Sequence, residues 1–219
     1  MLNKKRSIGL TKVLWGLLVL FLLSAFGAFI FTRLPAHKNQ ARTQLPTYGA
    51  VPHFTLTERS GMSFGLEELE GKIWVADFIF TGCGGTCPTM TRHMAKLQAE
   101  LPDDLDVKLV SITVDPLRDT PEVLSKYAET YGAERGRWFF LTGPHDEIIQ
   151  IASEGFHLSA GQLPPEHSVD AALGPITHSI KFALIDQDGQ IRGYYDGTEE
   201  ESINALIRDI KILNKREAT

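Results

Sequence analysis

The pattern of apolar and polar positions divides the chain into three parts. Residues 13–32 read VLWGLLVLFLLSAFGAFIFT, twenty residues without a charge, which is about the length that a helix needs to cross the ~30 Å hydrocarbon layer of a membrane. Residues 33–48 are polar, contain two prolines and predict a tether. Residues 49–219 are numerous enough to form a hydrophobic core of their own.

Within the third part, apolar runs typical of strands alternate with segments of helical periodicity. Residues 72–80, KIWVADFIF, are almost all apolar and rich in β-formers, so they predict a central strand covered on both faces. Residues 107–114, VKLVSITV, predict a second buried strand, and the helix between the two makes them a parallel pair. The other predicted elements are an edge strand at 53–58, helices at 88–101 and 118–132, a strand at 137–143, a helix at 144–155, strands at 180–186 and 191–197, and a helix at 199–213.

The order of these elements predicts the fold class. Parallel βαβ strands, then an antiparallel hairpin around Asp188 and Gly189, then a final helix are the order of a thioredoxin-like α/β sandwich with a central mixed sheet. We expect this sandwich to be preceded by one N-terminal transmembrane helix.

The distribution of charge predicts how the apolar segment is oriented in the membrane and argues against nucleic acid as a partner. Residues 1–12 carry a basic cluster, which favours a cytoplasmic N-terminus and translocation of the rest of the chain. The net charge is −5 and the basic residues are scattered, so we expect no binding to nucleic acid.

The apolar segment has two interpretations. Ala25 and Gly27 offer small residues for cleavage of a signal peptide, but the apolar run continues beyond them, which favours an uncleaved anchor. No Arg- and Ser-rich transit segment precedes it. We therefore expect a single-pass protein of the bacterial cell inner membrane, with residues 49–219 on the periplasmic side.

The chain has two cysteines, Cys83 and Cys87, in the stretch FTGCGGTCPTM between a predicted strand and a predicted helix. A disulfide that closes so small a ring stabilises a fold by only roughly 2 kcal/mol, and a domain of this size has little need of one. Two inert buried thiols are a second alternative, but that leaves unexplained why both lie in one glycine-rich loop. A functional thiol pair is the stronger interpretation.

The position of the pair suggests its chemistry. The start of a helix favours thiolate over thiol, and if residues 83–87 form the first helical turn, both sulfurs lie on one face, where they can join or share a metal. Thiolates are soft ligands that select copper(I), zinc or iron–sulfur clusters. Structural zinc and iron–sulfur sites generally need four protein ligands, so copper(I) fits two cysteines best.

The sequence resembles the Sco (SenC) family over roughly residues 50–213, in FTGCGGTCP, ITVDPLRDTPEVLSKYAETYG, WFFLTG and HSIKFALIDQDGQIRGYY. Members are membrane-anchored, copper-binding proteins with a thioredoxin-like fold that help to assemble the copper centre of cytochrome c oxidase. The resemblance implies that Cys83 and Cys87 are thiolate ligands of a copper ion and that His178 is its imidazole ligand. It also implies a partner, the copper-site subunit of cytochrome c oxidase or another cuproprotein.

The chain departs from the family pattern next to these ligands. The family commonly has Pro and Asp after its first cysteine, where this chain has Gly84 and Gly85, and many members have Asp before the histidine, where this chain has Thr177. Groups beside a ligand orient it and set its basicity. The departures therefore concern the tuning of the site and leave its ligands in place.

Two functions remain open for the thiol pair. A metallochaperone would hold copper through the cysteines and His178 and pass it to a client. A thiol-disulfide oxidoreductase or redox sensor would attack a client disulfide with Cys83 and resolve the mixed disulfide with Cys87; it needs no distant imidazole. Asp115 and Asp119 are interpreted as turn and cap residues, and the resemblance offers them only as helpers near the loop.

Overall fold

The computed structural model describes residues 13–18, 20, 45–102, 104–158, 160–162 and 176–215. Within these ranges, no helix is long and apolar enough to span a membrane. Residues 13–18 are helical, whereas residue 19 and residues 21–32 of the predicted transmembrane helix lie outside the described part. The predicted basic segment and residues 33–44 of the predicted tether also lie outside it.

A seven-stranded mixed sheet forms the centre of the described fold. The described strands are β1 Thr55–Glu58, β2 Ser63–Gly65, β3 Trp74–Ile79, β4 Lys108–Thr113, β5 Trp138–Thr142, β6 Ala160–Gln162, β7 Ile176–His178, β8 Lys181–Ile185 and β9 Ile191–Asp196. The order in the large sheet is β2-β1-β5-β4-β3-β8-β9. Strands β3, β4 and β5 are mutually parallel, whereas β8 and β9 add to β3 as an antiparallel hairpin. The predicted central mixed sheet is thus confirmed.

Helices cover both faces of the sheet. The helices are α1 Cys87–Glu100, α2 Pro121–Thr130, α3 His145–Gln150, which continues as a π-helical turn at Ile151–Gly155, and α4 Glu200–Lys215; a 3-10 turn spans Leu66–Leu69. One apolar cluster joins the sheet to α1, α2 and α4, and a second joins the opposite face to α3. Because β3 lies between these layers, all six of its residues are buried, as its apolar run predicts.

Short strands account for the main differences from the prediction. Residues 53–58 predict an edge strand, but β1 has β5 on one side and β2 on the other. The strands β6 and β7 pair with each other in a separate two-stranded sheet, between residues 155 and 180, where the sequence predicts no strand. Strands of three residues carry too little periodicity to be recognised in a sequence.

Residues 45–51 pack against the start of β9. Leu45 and Val51 are buried, and the backbone of this segment forms hydrogen bonds with Gly189 and Ile191. Arg192 holds the segment in place, because its guanidinium donates to the carbonyl oxygens of Leu45 and Pro46 and pairs with Asp186 at 2.6 Å.

We expect the substitution Arg192→Met to lower the free energy of unfolding by about 2 kcal/mol or more, because it leaves the carboxylate of Asp186 without its countercharge. Both partners are largely buried, with side-chain exposures of 12% and 7%. Urea denaturation followed by circular dichroism measures the effect. The exposed Arg135→Met is the matched control, and equal losses in the two variants would contradict the anchoring role of Arg192.

Candidate functional site

The two cysteines lie at one edge of the sheet, between the end of β3 and the start of α1. Strand β3 ends at Ile79 and α1 begins at Cys87, so residues 80–86 form the connecting loop. Since β3 and β4 are parallel, the loop that follows β4 is at the same edge. The predicted position of the cysteines, between a strand and a helix, is confirmed.

The carboxylate of Asp119 joins these two loops. It accepts hydrogen bonds from the backbone N–H of Thr81, at 3.0 Å, and from the hydroxyl groups of Thr81 and Thr113. The next residue, Thr120, caps α2 by accepting from the N–H of Val123. The sequence assigns Asp119 to the turn and cap, but the structure shows that it also positions the segment that leads to Cys83.

Cys83 and Cys87 are not joined by a disulfide, and the two thiols differ in exposure. Cys83 is half-buried, whereas Cys87 is fully buried in the cluster beneath α1. Burial raises the pKa of the Cys87 thiol well above its usual range, and the neighbouring Cys83 thiol adds to the effect. This is opposite to the acidity expected at a helix start, because loss of hydration outweighs the helix field for a buried sulfur.

The two cysteines do not share a helical turn. Helix α1 begins at Cys87, and the N–H groups of Thr89 and Met90 donate to the carbonyl of Thr86. Cys83 lies before the helix, in a turn closed by its N–H and the carbonyl of Phe80. Residues 83–87 therefore do not form one helical turn, so the condition under which the spacing would place both sulfurs on one helix face is not met.

The two glycines between the cysteines have no steric requirement to be glycine. A Cβ added at Gly84 meets no atom within 4 Å, and one added at Gly85 stands 3.8 Å from Cys83 Sγ, an ordinary contact. Neither residue has a positive φ. Their effect is to leave the rim of the thiol pair free of side chains.

The predicted third ligand lies on a different sheet. His178 is the last residue of β7, and its backbone pairs with that of Ala160. Its side chain, like that of Thr177, is outside what the structure describes, so its role as a ligand stays a prediction. In the described part of the chain, no group of three or more His, Cys, Asp or Glu residues has a geometry that could hold a metal ion.

The structure also shows a buried acidic residue that no motif in the sequence singles out. Asp77 lies within the apolar run of β3, is fully buried, and neither of its carboxylate oxygens has a hydrogen-bond partner. Burial raises its pKa to about 7, against the opposing effect of the Ser111 hydroxyl on the neighbouring strand. A single carboxyl in an otherwise apolar strand is the signal that could have identified it.

Comparison with known proteins gives consistent matches. The SCO1/SenC family model matches residues 42–214. The SCO1 protein homolog of Bacillus subtilis (strain 168) is 36% identical over 163 residues, which cover 74% of this chain and 81% of that protein.

Two solved structures are similar in fold and sequence. BsSco, described as a member of the Sco family of cytochrome c oxidase assembly proteins with a disulfide switch, has a TM-score of 0.62 and 34% identity, over 78% of this chain and 97% of that one. Bradyrhizobium japonicum ScoI with copper bound has a TM-score of 0.60 and 25% identity, over 73% of this chain and 99% of that one.

The difference in burial predicts unequal reactivity of the thiols. In the reduced protein we expect iodoacetamide to modify Cys83 at least about tenfold faster than Cys87, because Cys87 is inaccessible and is held as the neutral thiol. Mass spectrometry of timed samples measures both rates. In Cys83→Ser only slow labelling should remain, and equal rates at the two positions in the native protein would contradict the assignment.

Asp77 predicts a pH-dependent stability. The pKa of its carboxyl is about 7 in the folded state and about 4 in the unfolded chain. Between these values the folded protein binds a proton that the unfolded chain has released, so Asp77 lowers stability progressively as pH rises from about 4 to 7. We expect Asp77→Asn to raise the free energy of unfolding by up to about 4 kcal/mol at about pH 8 and to change it little at about pH 4.

Chemical denaturation at the two pH values tests this expectation. The matched control is Asp115→Asn, which removes a buried carboxylate that is already paired with Arg118 at 3.1 Å. That control should lose stability at about pH 8. A gain for Asp77→Asn that is the same at both pH values would show that its carboxyl does not titrate as described.

Proposed function

The chain belongs to the SCO1/SenC family, and from this we propose that it is a membrane-anchored metallochaperone that delivers copper to an extracytoplasmic cuproprotein. The copper site of cytochrome c oxidase is the proposed client site, since BsSco is a member of a family of cytochrome c oxidase assembly proteins. Copper is the cargo in this function. The proposed ligands are Cys83, Cys87 and His178.

The observation that carries the proposal is a pair of reduced cysteines, not joined by a disulfide, between the end of β3 and the start of α1 at one edge of the sheet. Thiolates are the preferred protein ligands of copper(I), which accepts two or three of them. The loop is also suited to release, because the side-chain-free rim at Gly84 and Gly85 lets the ligands of an acceptor protein approach Cys83. The copper-bound structure of Bradyrhizobium japonicum ScoI supports the same cargo.

The proposed location follows from the apolar and basic segments at the N-terminus. We place residues 13–32 across the cell inner membrane and the thioredoxin-like domain on the periplasmic side, joined by the tether. A tethered domain that shares a membrane with its client meets it at a high effective concentration, so delivery does not require tight binding between the two proteins.

A thiol-disulfide oxidoreductase or redox sensor is the second candidate function. It is favoured by the difference in solvent exposure between the two thiols. The more accessible Cys83 can attack a client disulfide, and the buried Cys87 can then resolve the mixed disulfide. BsSco, a relative with a disulfide switch, supports the same couple. The two functions are compatible, since copper(I) requires the reduced pair.

Titration of the reduced full chain with copper(I) against a competing chelator tests the proposal. We expect one copper ion per protein, a loss of affinity of at least about a hundredfold in Cys83→Ser, and a loss of at least about tenfold in His178→Ala. The exposed His53→Ala, which removes a histidine that pairs with Glu67, should leave the affinity unchanged.

The redox state supplies the second half of the test. A sample locked by a disulfide between Cys83 and Cys87 should bind copper(I) far more weakly than the reduced sample. Equal affinity in the two redox states would rule out the cysteines as ligands. Indifference to His178→Ala, together with rapid turnover of a peptide disulfide, would favour the oxidoreductase instead.

A further inference from the structure

Two exposed apolar side chains lie at the edge of the sheet that carries the cysteines. Among the described residues from 45 onwards, four large apolar side chains are exposed to solvent, those of Tyr48, Met62, Leu117 and Val123. Leu117 is the most exposed of them, at 72%, and lies between β4 and α2, whereas Val123 is in the first turn of α2. Scattered apolar residues are ordinary on a surface, but these two share one short segment.

The turn at residues 115–120 holds Leu117 in one place. The carbonyl of Asp115 accepts hydrogen bonds from the N–H groups of Arg118, at 3.1 Å, and of Asp119, at 2.9 Å. The side chains of Asp115 and Arg118 also pair across this turn at 3.1 Å. A side chain on a turn that is already ordered loses little conformational freedom when a partner covers it.

The carboxylate of Asp119 ties this turn to the cysteine loop. Leu117 is two residues before Asp119, and Cys83 is two residues after Thr81, whose N–H donates to that carboxylate at 3.0 Å. Since a residue extends a chain by at most about 3.6 Å, this path keeps the backbones of Leu117 and Cys83 within about 23 Å of each other. The parallel pairing of β3 and β4 puts both loops at the same edge.

A client protein has to cover this edge in order to react. Copper passes from one protein to another only when the ligands of the acceptor come within bonding distance of Cys83. A specific interface buries about 800 Å² on each partner, which as a round patch is about 32 Å across. A patch of that size that includes Cys83 has room for Leu117 and Val123.

The charged groups beside Leu117 already have partners within the domain. Arg118 pairs with Asp115, and Asp119 is buried and bonded to threonines. The carboxylate of Glu122 accepts a hydrogen bond from the hydroxyl of Thr120. The exposed glycines at positions 82, 84 and 85 add no side chain. The groups at this edge that gain most from being covered are therefore apolar.

We propose that Leu117 and Val123 form the surface on which a client cuproprotein docks, through an apolar, uncharged patch beside its own copper site. The inference rests on the proposed copper delivery and names the part of this chain that contacts the client. Burial of an exposed leucine side chain favours association, and an apolar contact beside Cys83 keeps water away from ligands that are being exchanged.

Binding of the reduced full chain, in detergent, to the soluble copper-site domain of cytochrome c oxidase tests this surface. The probe is the purified domain with its copper site empty, and isothermal titration calorimetry gives the Kd. We expect Leu117→Asn to raise the Kd at least about tenfold, because the variant loses the burial of a leucine side chain. Val123→Thr, which keeps the shape of the side chain, should raise the Kd in the same direction.

Met62→Gln is the matched control. Met62 is 69% exposed and lies in the turn after β1, and because β1 runs antiparallel to β5, this turn is at the opposite edge of the sheet. The control should bind like the native chain. A loss in Leu117→Asn no larger than in Met62→Gln would overturn the inference.

Salt dependence tests the chemistry of the contact. We expect the Kd of the native chain to change little between about 50 and about 500 mM salt, because apolar contacts are not screened. A steep loss of affinity over this range would show docking through charged groups and would contradict the proposed apolar surface. Sedimentation of the chain alone tests a second copy as the occupant, and a dimer that Leu117→Asn dissociates would also overturn the inference.

Copper(I) transfer separates failure of the surface from failure of the proposed function. In Leu117→Asn, transfer from the copper-loaded chain to a low concentration of the domain should slow at least about tenfold, in line with the loss of affinity. Removal of copper by a small chelator needs no docking and should keep its native rate, which also shows that the variant keeps an intact site. Binding that depends on Leu117 without any transfer would uphold the surface and show that delivery to this site is wrong. Absence of binding by the native chain would overturn the inference, whatever the affinity of the thiol pair for copper(I).

Discussion

The hydrogen bonds of the Asp119 carboxylate are the interaction on which the site depends. Thr113 is the last residue of β4, Thr81 lies two residues after the end of β3, and Asp119 directly precedes the cap of α2. One buried carboxylate bonded to both threonines therefore fixes the connecting loop relative to two parallel strands and a helix. Charge-assisted bonds of this kind are stronger than neutral ones, so the position of Cys83 is set before any ligand arrives.

Burial then decides how the two thiols divide their roles. The field at a helix start stabilises an anion by about 0.3–1 kcal/mol at an exposed site, whereas burial shifts a pKa by up to several units. For Cys87 the second effect is the larger one. The same helix start that would activate an exposed cysteine therefore holds a neutral thiol, and any use of Cys87, in copper binding or in disulfide exchange, requires that its proton leave.

The sequence predicts those parts of the fold that have local signals. Strands β3 and β4 are continuous apolar runs, and α2 has Thr120 and Pro121 at its start, so each is recognisable without its neighbours. The bonds from Thr81 to Asp119 join residues 38 positions apart, and no local pattern contains them. The apolar pattern of residues 72–80 predicts a buried strand but gives no indication that the carboxyl of Asp77 is buried with it. His178 was identified through family resemblance alone, since its sequence surroundings predict an ordinary loop residue.

The two candidate chemistries draw on different parts of the fold. Cys83 and Cys87 are positioned by the seven-stranded sheet, α1 and Asp119, whereas His178 ends β7 in a separate two-stranded sheet. Disulfide exchange therefore needs only groups that the main sheet already holds in place. Copper binding with His178 as the proposed third ligand would need both sheets, so its affinity would depend on the placement of β7 as well as on the thiols. A perturbation confined to the small sheet would then separate the two chemistries, because it would displace the proposed imidazole ligand while the thiol pair keeps its surroundings.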